Sequence, residues 1–145
     1  MITVTGKEKS WNFIKEICDH CEKCNIDFPG EKFNNYHRSP MVESEYKQWK
    51  EENHDLISIL FSDNQFITIR LNDFPYHFEV GLIHYVVWLN PNYFNESEIT
   101  PRMTKIVKEY VSRFFKNSVW VYFRNEPNYR TINYIPHYHV IIKTK

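Results

Sequence analysis

A chain of 145 residues with 18 basic and 18 acidic side chains has no formal net charge, which argues against nucleic-acid binding driven by counterion release. With only 3 glycines it has no glycine-rich phosphate loop, and its 17% aromatic content points to a single domain over 1–145 built on an aromatic core. No run reaches the length of a membrane span, and Met1-Ile2-Thr3-Val4-Thr5-Gly6-Lys7-Glu8 lacks the apolar segment of a signal peptide, so the expectation is a soluble, intracellular, cytoplasmic protein without a membrane partner.

The first predicted helix runs from about Lys9 to Glu22 with Ser10 near its N-cap, and Trp11, Ile14, Ile17, Cys18 and Cys21 form its apolar stripe. Cys18, Cys21 and Cys24, with His20 among them, have a spacing that invites a zinc reading. The helical period favours core-facing thiols instead, and no second Cys/His pair stands at finger distance. A loop marked by Pro29-Gly30 and Asn34-Asn35 follows. Ser39-Pro40 then starts a second helix, a serine cap with proline at the first helical position, which carries Tyr46 and Trp49 and fades near Asn53.

Gln65 to Leu71 alternates as a strand, and Leu82 to Leu89 is a near-continuous apolar strand interrupted by His84. Thr100 caps a third helix with Pro101 at its first position. Met103, Ile106, Val107, Tyr110, Val111, Phe114 and Phe115 supply its buried stripe. Val119 to Arg124 and His137 to Lys143 complete the strands, joined across a hairpin-length connection from Asn125 to Pro136. The order predicts an α+β domain: an antiparallel sheet of about four to five strands with three helices on one face, leaving the other for a site.

The terminal strand carries the chemistry. Side chains alternate across a strand, so His137 and His139 project from one face while Tyr138, Val140 and Ile142 project from the other, buried one. Two imidazoles held side by side can bind a metal or a phosphoryl group. His84 shares a face with Leu82, Val86 and Trp88 and so must be paired or functional. Arg38, Arg124 and the turn Asn72-Asp73-Phe74-Pro75-Tyr76-His77 add polar groups, although Asn72-Asp73 also reads as a plain turn closed by side-chain bonds to backbone.

Asn72-Asp73-Phe74-Pro75-Tyr76 followed by Gly81-Leu82-Ile83-His84-Tyr85-Val86-Val87-Trp88 resembles the signature of the N-acetylglucosamine-induced protein 1 family, a domain of unknown function in fungi and some large DNA viruses. Tyr36-His37-Arg38-Ser39-Pro40, Tyr46, Trp49 and His137-Tyr138-His139-Val140 fall in that family's order, and the likeness extends from about Trp11 to Ile142. Phe74 and Leu89 stand where the family has tryptophan and threonine. The resemblance implies no particular reaction. The terminal strand is more distantly similar to the histidine-triad nucleotide hydrolases and transferases. That likeness implies His137 as first histidine and His139 as nucleophile, with Asn133 in place of a glutamine and Ile141 where a third histidine belongs.

Three functions follow. One is a phosphoester or nucleotidyl hydrolase or transferase acting on a small phosphorylated molecule or nucleotide. In it His139 is nucleophile or base, His137 orients it, and His84, Arg124 or Arg38 stabilises phosphate charge; Asn72, Asp73, Tyr76 and Asn133 complete the ligand contacts. A second is a metal enzyme using His84, His137 and His139, with Asp73 as a carboxylate ligand. The third is a non-catalytic ligand-binding or protein-interaction module whose histidines are structural. The sequence names no cofactor and sets no oligomeric state.

Overall fold

A computed structural model describes residues 10–24, 38–52, 54–62, 65–94, 100–124 and 135–144, excepting the side chain of Cys24. The elements run α1 (Trp11–Cys24), α2 (Pro40–Glu51), α3 (Leu56–Leu60), β1 (Ile67–Leu71), β2 (Leu82–Leu89), α4 (Pro101–Phe114), β3 (Val119–Phe123) and β4 (His137–Lys143). The domain is α+β. All strand pairings are antiparallel in the order β1-β2-β4-β3, so the histidine strand is central, flanked by β2 and β3. The loop markers Pro29-Gly30 and Asn34-Asn35, and most of the 125–136 connection, lie outside the described residues. No described helix is long and apolar enough to cross a membrane.

Local chemistry sets the helix starts. Ser39 and Thr100 sit in extended backbone with Pro40 and Pro101 behind them, and their side chains accept from the amides of Val42 and Met103. The Ser10 hydroxyl accepts from Phe13 N–H, and the amide of Trp11 donates to the Glu79 carboxylate at 2.6 Å, placing negative charge at the start of α1. Gly81, with φ of 97°, turns the chain into β2 in a backbone region that a side chain disfavours, and its carbonyl accepts from Thr144 N–H at 2.8 Å.

Helices cover both faces of the sheet rather than one. On the back, Met103, Val107 and Val111 of α4 pack on Val87, Leu89, Tyr138, Val140 and Ile142, the buried parity read from the sequence. On the front, the face of His139, Trp11, Ile14, Cys18 and Cys21 of α1 pack on Val121, Phe123 and Ile141. Trp88, also on this face, packs with Leu56, Leu60 and Phe61. The reason is that β4 is buried along both faces: Ile141 is as inaccessible as Val140, so the front also needs apolar cover.

Two details of the helices depart from expectation. Tyr110 and Phe114 face outward, because the i, i+4, i+8 row of Met103, Val107 and Val111 fills the contact with the sheet and leaves them at its margin. The short α3, capped by Asp55, has no counterpart in the sequence reading. Cys18 and Cys21 are buried, and burial pushes the Cys18 thiol well above its ordinary range, so it stays protonated.

The core assignment is tested by Val107→Asp. Val107 is fully inaccessible, so an unpaired carboxylate there is expected to cost about 4 kcal/mol or more and to eliminate soluble protein. Lys105→Ala, at an exposed position of the same helix, should remain within about 0.5 kcal/mol of the parent. Cooperative thermal unfolding of a soluble Val107→Asp protein near the parent midpoint would refute the packing.

Candidate functional site

The antiparallel register aligns three rows on the front face. Thr68, Trp88 and His137 form one; Arg70, Val86, His139 and Phe123 the next; and His84, Ile141 and Val121 the third. Above the first two rows lies a cavity of about 170 Å³, lined by residues of β1, β2 and β4, of α2 and α3, and of the 72–76 turn. Its lining includes Arg38, Arg70, Asn72, Asp73, Tyr76, His137 and His139, with aromatic walls from Tyr46, Trp49, Phe74 and Trp88.

Hydrogen bonding fixes where the imidazole protons sit. The amide of Tyr76 donates to His84 Nδ1 at 3.1 Å. An amide can only donate, so the hydrogen of uncharged His84 is on Nε2. His84 Nε2 lies 2.8 Å from His139 Nδ1, to which it donates. His139 therefore carries its own hydrogen on Nε2 and acts through that nitrogen as a donor. His137 is set the opposite way: its Nδ1 is 2.9 Å from the carbonyl oxygen of Ile135, an acceptor, so Nδ1 holds the hydrogen and Nε2 keeps a lone pair.

Aromatic packing holds these rings. His139 is stacked on Phe123 at 4.9 Å and 13° and on Tyr76 at 5.1 Å and 30°. His84 meets Tyr76 and Phe78 edge-on. His137 leans on Trp88 with centroids 4.7 Å apart, and 5.4 Å separates it from His139. His84 and His139 are only 3% and 5% exposed, whereas His137 is half-buried, so the pair faces the ligand space unequally.

Arg38 is buried against Tyr46 and Tyr76, its guanidinium carbon 4.0 and 5.0 Å from the two ring centres. Its Nε donates to the Phe74 carbonyl at 2.7 Å, and Nη1 lies 3.3 Å from the Glu43 carboxylate. The residue thus ties α2 to the turn while forming part of the pocket wall. Asn72 accepts from Phe74 N–H through Oδ1, closing the turn in the manner its sequence suggests. Its amide nitrogen lies 3.4 Å from each ring nitrogen of His84. Asp73 is exposed on the same turn.

Not every candidate converges. Arg124 is buried on the opposite side of the sheet, its guanidinium 5.9 Å from the ring centre of Tyr138, because Phe123 takes the front-facing position opposite His139. It does not line the cavity. Asn133 lies outside the described residues. His84 supports the site from below, with both ring nitrogens engaged, so it has no lone pair for a metal ion. The three-histidine metal set is not assembled, and among the described residues no group of three His, Cys, Asp or Glu is placed to hold one. With His84 donating to its Nδ1, the uncharged His139 ring carries its hydrogen on Nε2.

Sequence reasoning missed Arg70, Trp88 as a wall, and α3. Arg70 had a signal: Ile67 and Ile69 pack with the α4 side, so alternation sends Thr68 and Arg70 to the front.

A family model described as "protein of unknown function (DUF3605)" matches residues 34–143. No curated protein matches the chain. A solved structure described as the crystal structure of HTC1 is similar in fold, with a TM-score of 0.58 and 19% identity over 94% of this chain and 86% of that one.

The hydrogen-bond chain is tested by His84→Phe, which leaves the Tyr76 amide without its acceptor and His139 Nδ1 without its donor. The expected loss is about 1–3 kcal/mol of stability by denaturant unfolding. Imidazole nitrogen chemical shifts should place the His139 hydrogen on Nε2 in the parent and a mixture of tautomers in the variant. An Nδ1–H form of His139 in the parent protein would contradict the assignment.

Proposed function

This chain belongs to the DUF3605 family of proteins of unknown function, and on that footing we propose that its pocket binds a small phosphoester and hydrolyses it or transfers its phosphoryl group. The observation that carries the reading is the opposite setting of the pair on β4, His137 Nδ1 at the Ile135 carbonyl and His139 Nδ1 at His84 Nε2, which gives the uncharged rings a lone pair on His137 Nε2 and an N–H on His139 Nε2 in one aromatic cavity that also contains arginine. Donor and acceptor side by side are what an attack on phosphorus uses.

In this scheme His137 Nε2 removes a proton from the attacking water or alcohol as its oxygen bonds to phosphorus. His139 Nε2–H donates to a non-bridging oxygen, whose charge His84 cannot reach directly. The ester P–O bond breaks, and the departing oxygen takes a proton from solvent. The roles suggested by the histidine-triad likeness are therefore replaced in this scheme, with His137 as base and His139 as the stabilising donor. Ile141, where that likeness would need a third histidine, is buried among α1 side chains and contributes packing.

Size narrows the ligand. Sites for drug-sized molecules usually span about 300–1,000 Å³, so about 170 Å³ favours a single ring or short chain bearing phosphate over a whole nucleotide. The likeness to the N-acetylglucosamine-induced protein 1 family rests on the turn and strand motifs that build this wall and adds no reaction of its own. Binding without turnover is the second reading. It is favoured by Arg38, whose position between two tyrosine rings and beside Glu43 is that of a structural cation.

A thermal-shift screen of sugar phosphates, nucleotides, nucleotide sugars and their dephosphorylated forms supplies the test. Phosphorylated small molecules should raise the midpoint, and with the best of them His137→Ala should lower turnover about 100-fold or more while the midpoint stays within a few degrees. Retained turnover in that variant would remove His137 from the chemistry. Binding without product formation in the parent would leave the second reading.

A further inference from the structure

We infer that Arg70 is the residue that reads the ligand's anionic group, an inference that rests on the proposed phosphoester pocket and names its charge-recognition point. The cavity has two arginines in its wall, Arg38 and Arg70. Arg38 is occupied: it is bonded to Phe74 O, paired with Glu43 and held between two tyrosine rings, so its charge is already balanced and its position fixed. Arg70 differs. It is exposed at the cavity wall, and among the described residues no carboxylate or carbonyl partners its guanidinium.

The register gives Arg70 a direction of action. It pairs with Val86, which pairs with His139, so the guanidinium and the His139 Nε2–H belong to one cross-strand row. Two strand spacings, about 10 Å, separate their backbones. Val86 between them is short and buried, leaving the space above it to the cavity. A tetrahedral anion seated there meets an imidazole N–H from β4 and a planar, multiply donating guanidinium from β1, the combination suited to phosphate. His137, one row along the same strand, adjoins the seat on the side away from His84.

The experiment uses inorganic phosphate and phosphate-free analogues on the full chain, with dissociation constants from titration calorimetry at two ionic strengths. Phosphate should bind the parent and compete with the best phosphoester from the screen. Arg70→Gln should weaken phosphate about tenfold or more and flatten the salt dependence, with the midpoint unchanged because the side chain is exposed; Arg70→Lys should recover part of the loss. Neutral analogues should bind parent and Arg70→Gln alike. Equal phosphate affinity in parent and Arg70→Gln would overturn the role of Arg70 and leave the phosphoester reading standing. A parent protein that binds neither phosphate nor any phosphate ester would overturn both.

Discussion

The hydrogen bond from the Tyr76 amide to His84 governs where the imidazole protons of the front face sit. A backbone N–H cannot accept, so this one contact decides the tautomer of His84, through it the tautomer of His139, and so which nitrogen of the terminal strand offers a proton. The 72–76 turn is held in place for that contact by Asn72, which closes it locally, and by Arg38, which reaches the Phe74 carbonyl. Elements distant in sequence thus converge on the placement of one proton. Buried polar networks of this kind are tolerated only when their members are satisfied, and here the rings are also sealed by aromatic neighbours.

The two strand histidines share a face but not an environment. His139 packs against both Phe123 and Tyr76 with its Nδ1 held from below, while His137 leans on Trp88 at the more open end and uses the carbonyl two residues before it. Alternation alone makes them equivalent. Their different partners give the uncharged rings opposite settings, an N–H on His139 Nε2 and a lone pair on His137 Nε2.

The strands and capped helices were largely legible in the sequence because their signals are local. The apolar run of β2 and the β4 pattern give those strands with the observed bounds, and Ser39-Pro40 and Thr100-Pro101 give two helix starts. The five-residue helix Leu56–Leu60 has too few residues to display a period, and its apolar run reads equally as a strand. Which face Arg124 joins depends on the register of β3 against β4, a long-range property. The tautomers of His137 and His139 are equally out of reach: they depend on the carbonyl of Ile135 and the amide of Tyr76, backbone groups that no side-chain pattern encodes. Arg38 and the turn were legible as polar markers, but their bonding to each other was not.

The position of β4 in the sheet also bears on how the molecule assembles. β4 follows the other strands in the chain, yet it inserts between β2 and β3, supplying the backbone partners of both. Before it arrives, β1 and β2 can form a hairpin and α4 can lead into β3, but among the described residues no main-chain pairing joins these halves. The closing contacts span large sequence separations, His84 to Ile141 among them, and carry a correspondingly large loop-closure entropy. A two-stranded hairpin and the unpaired strand β3 would therefore wait on β4, and the step that joins them is the same step that creates the pocket, so an incompletely folded chain is also one with no site.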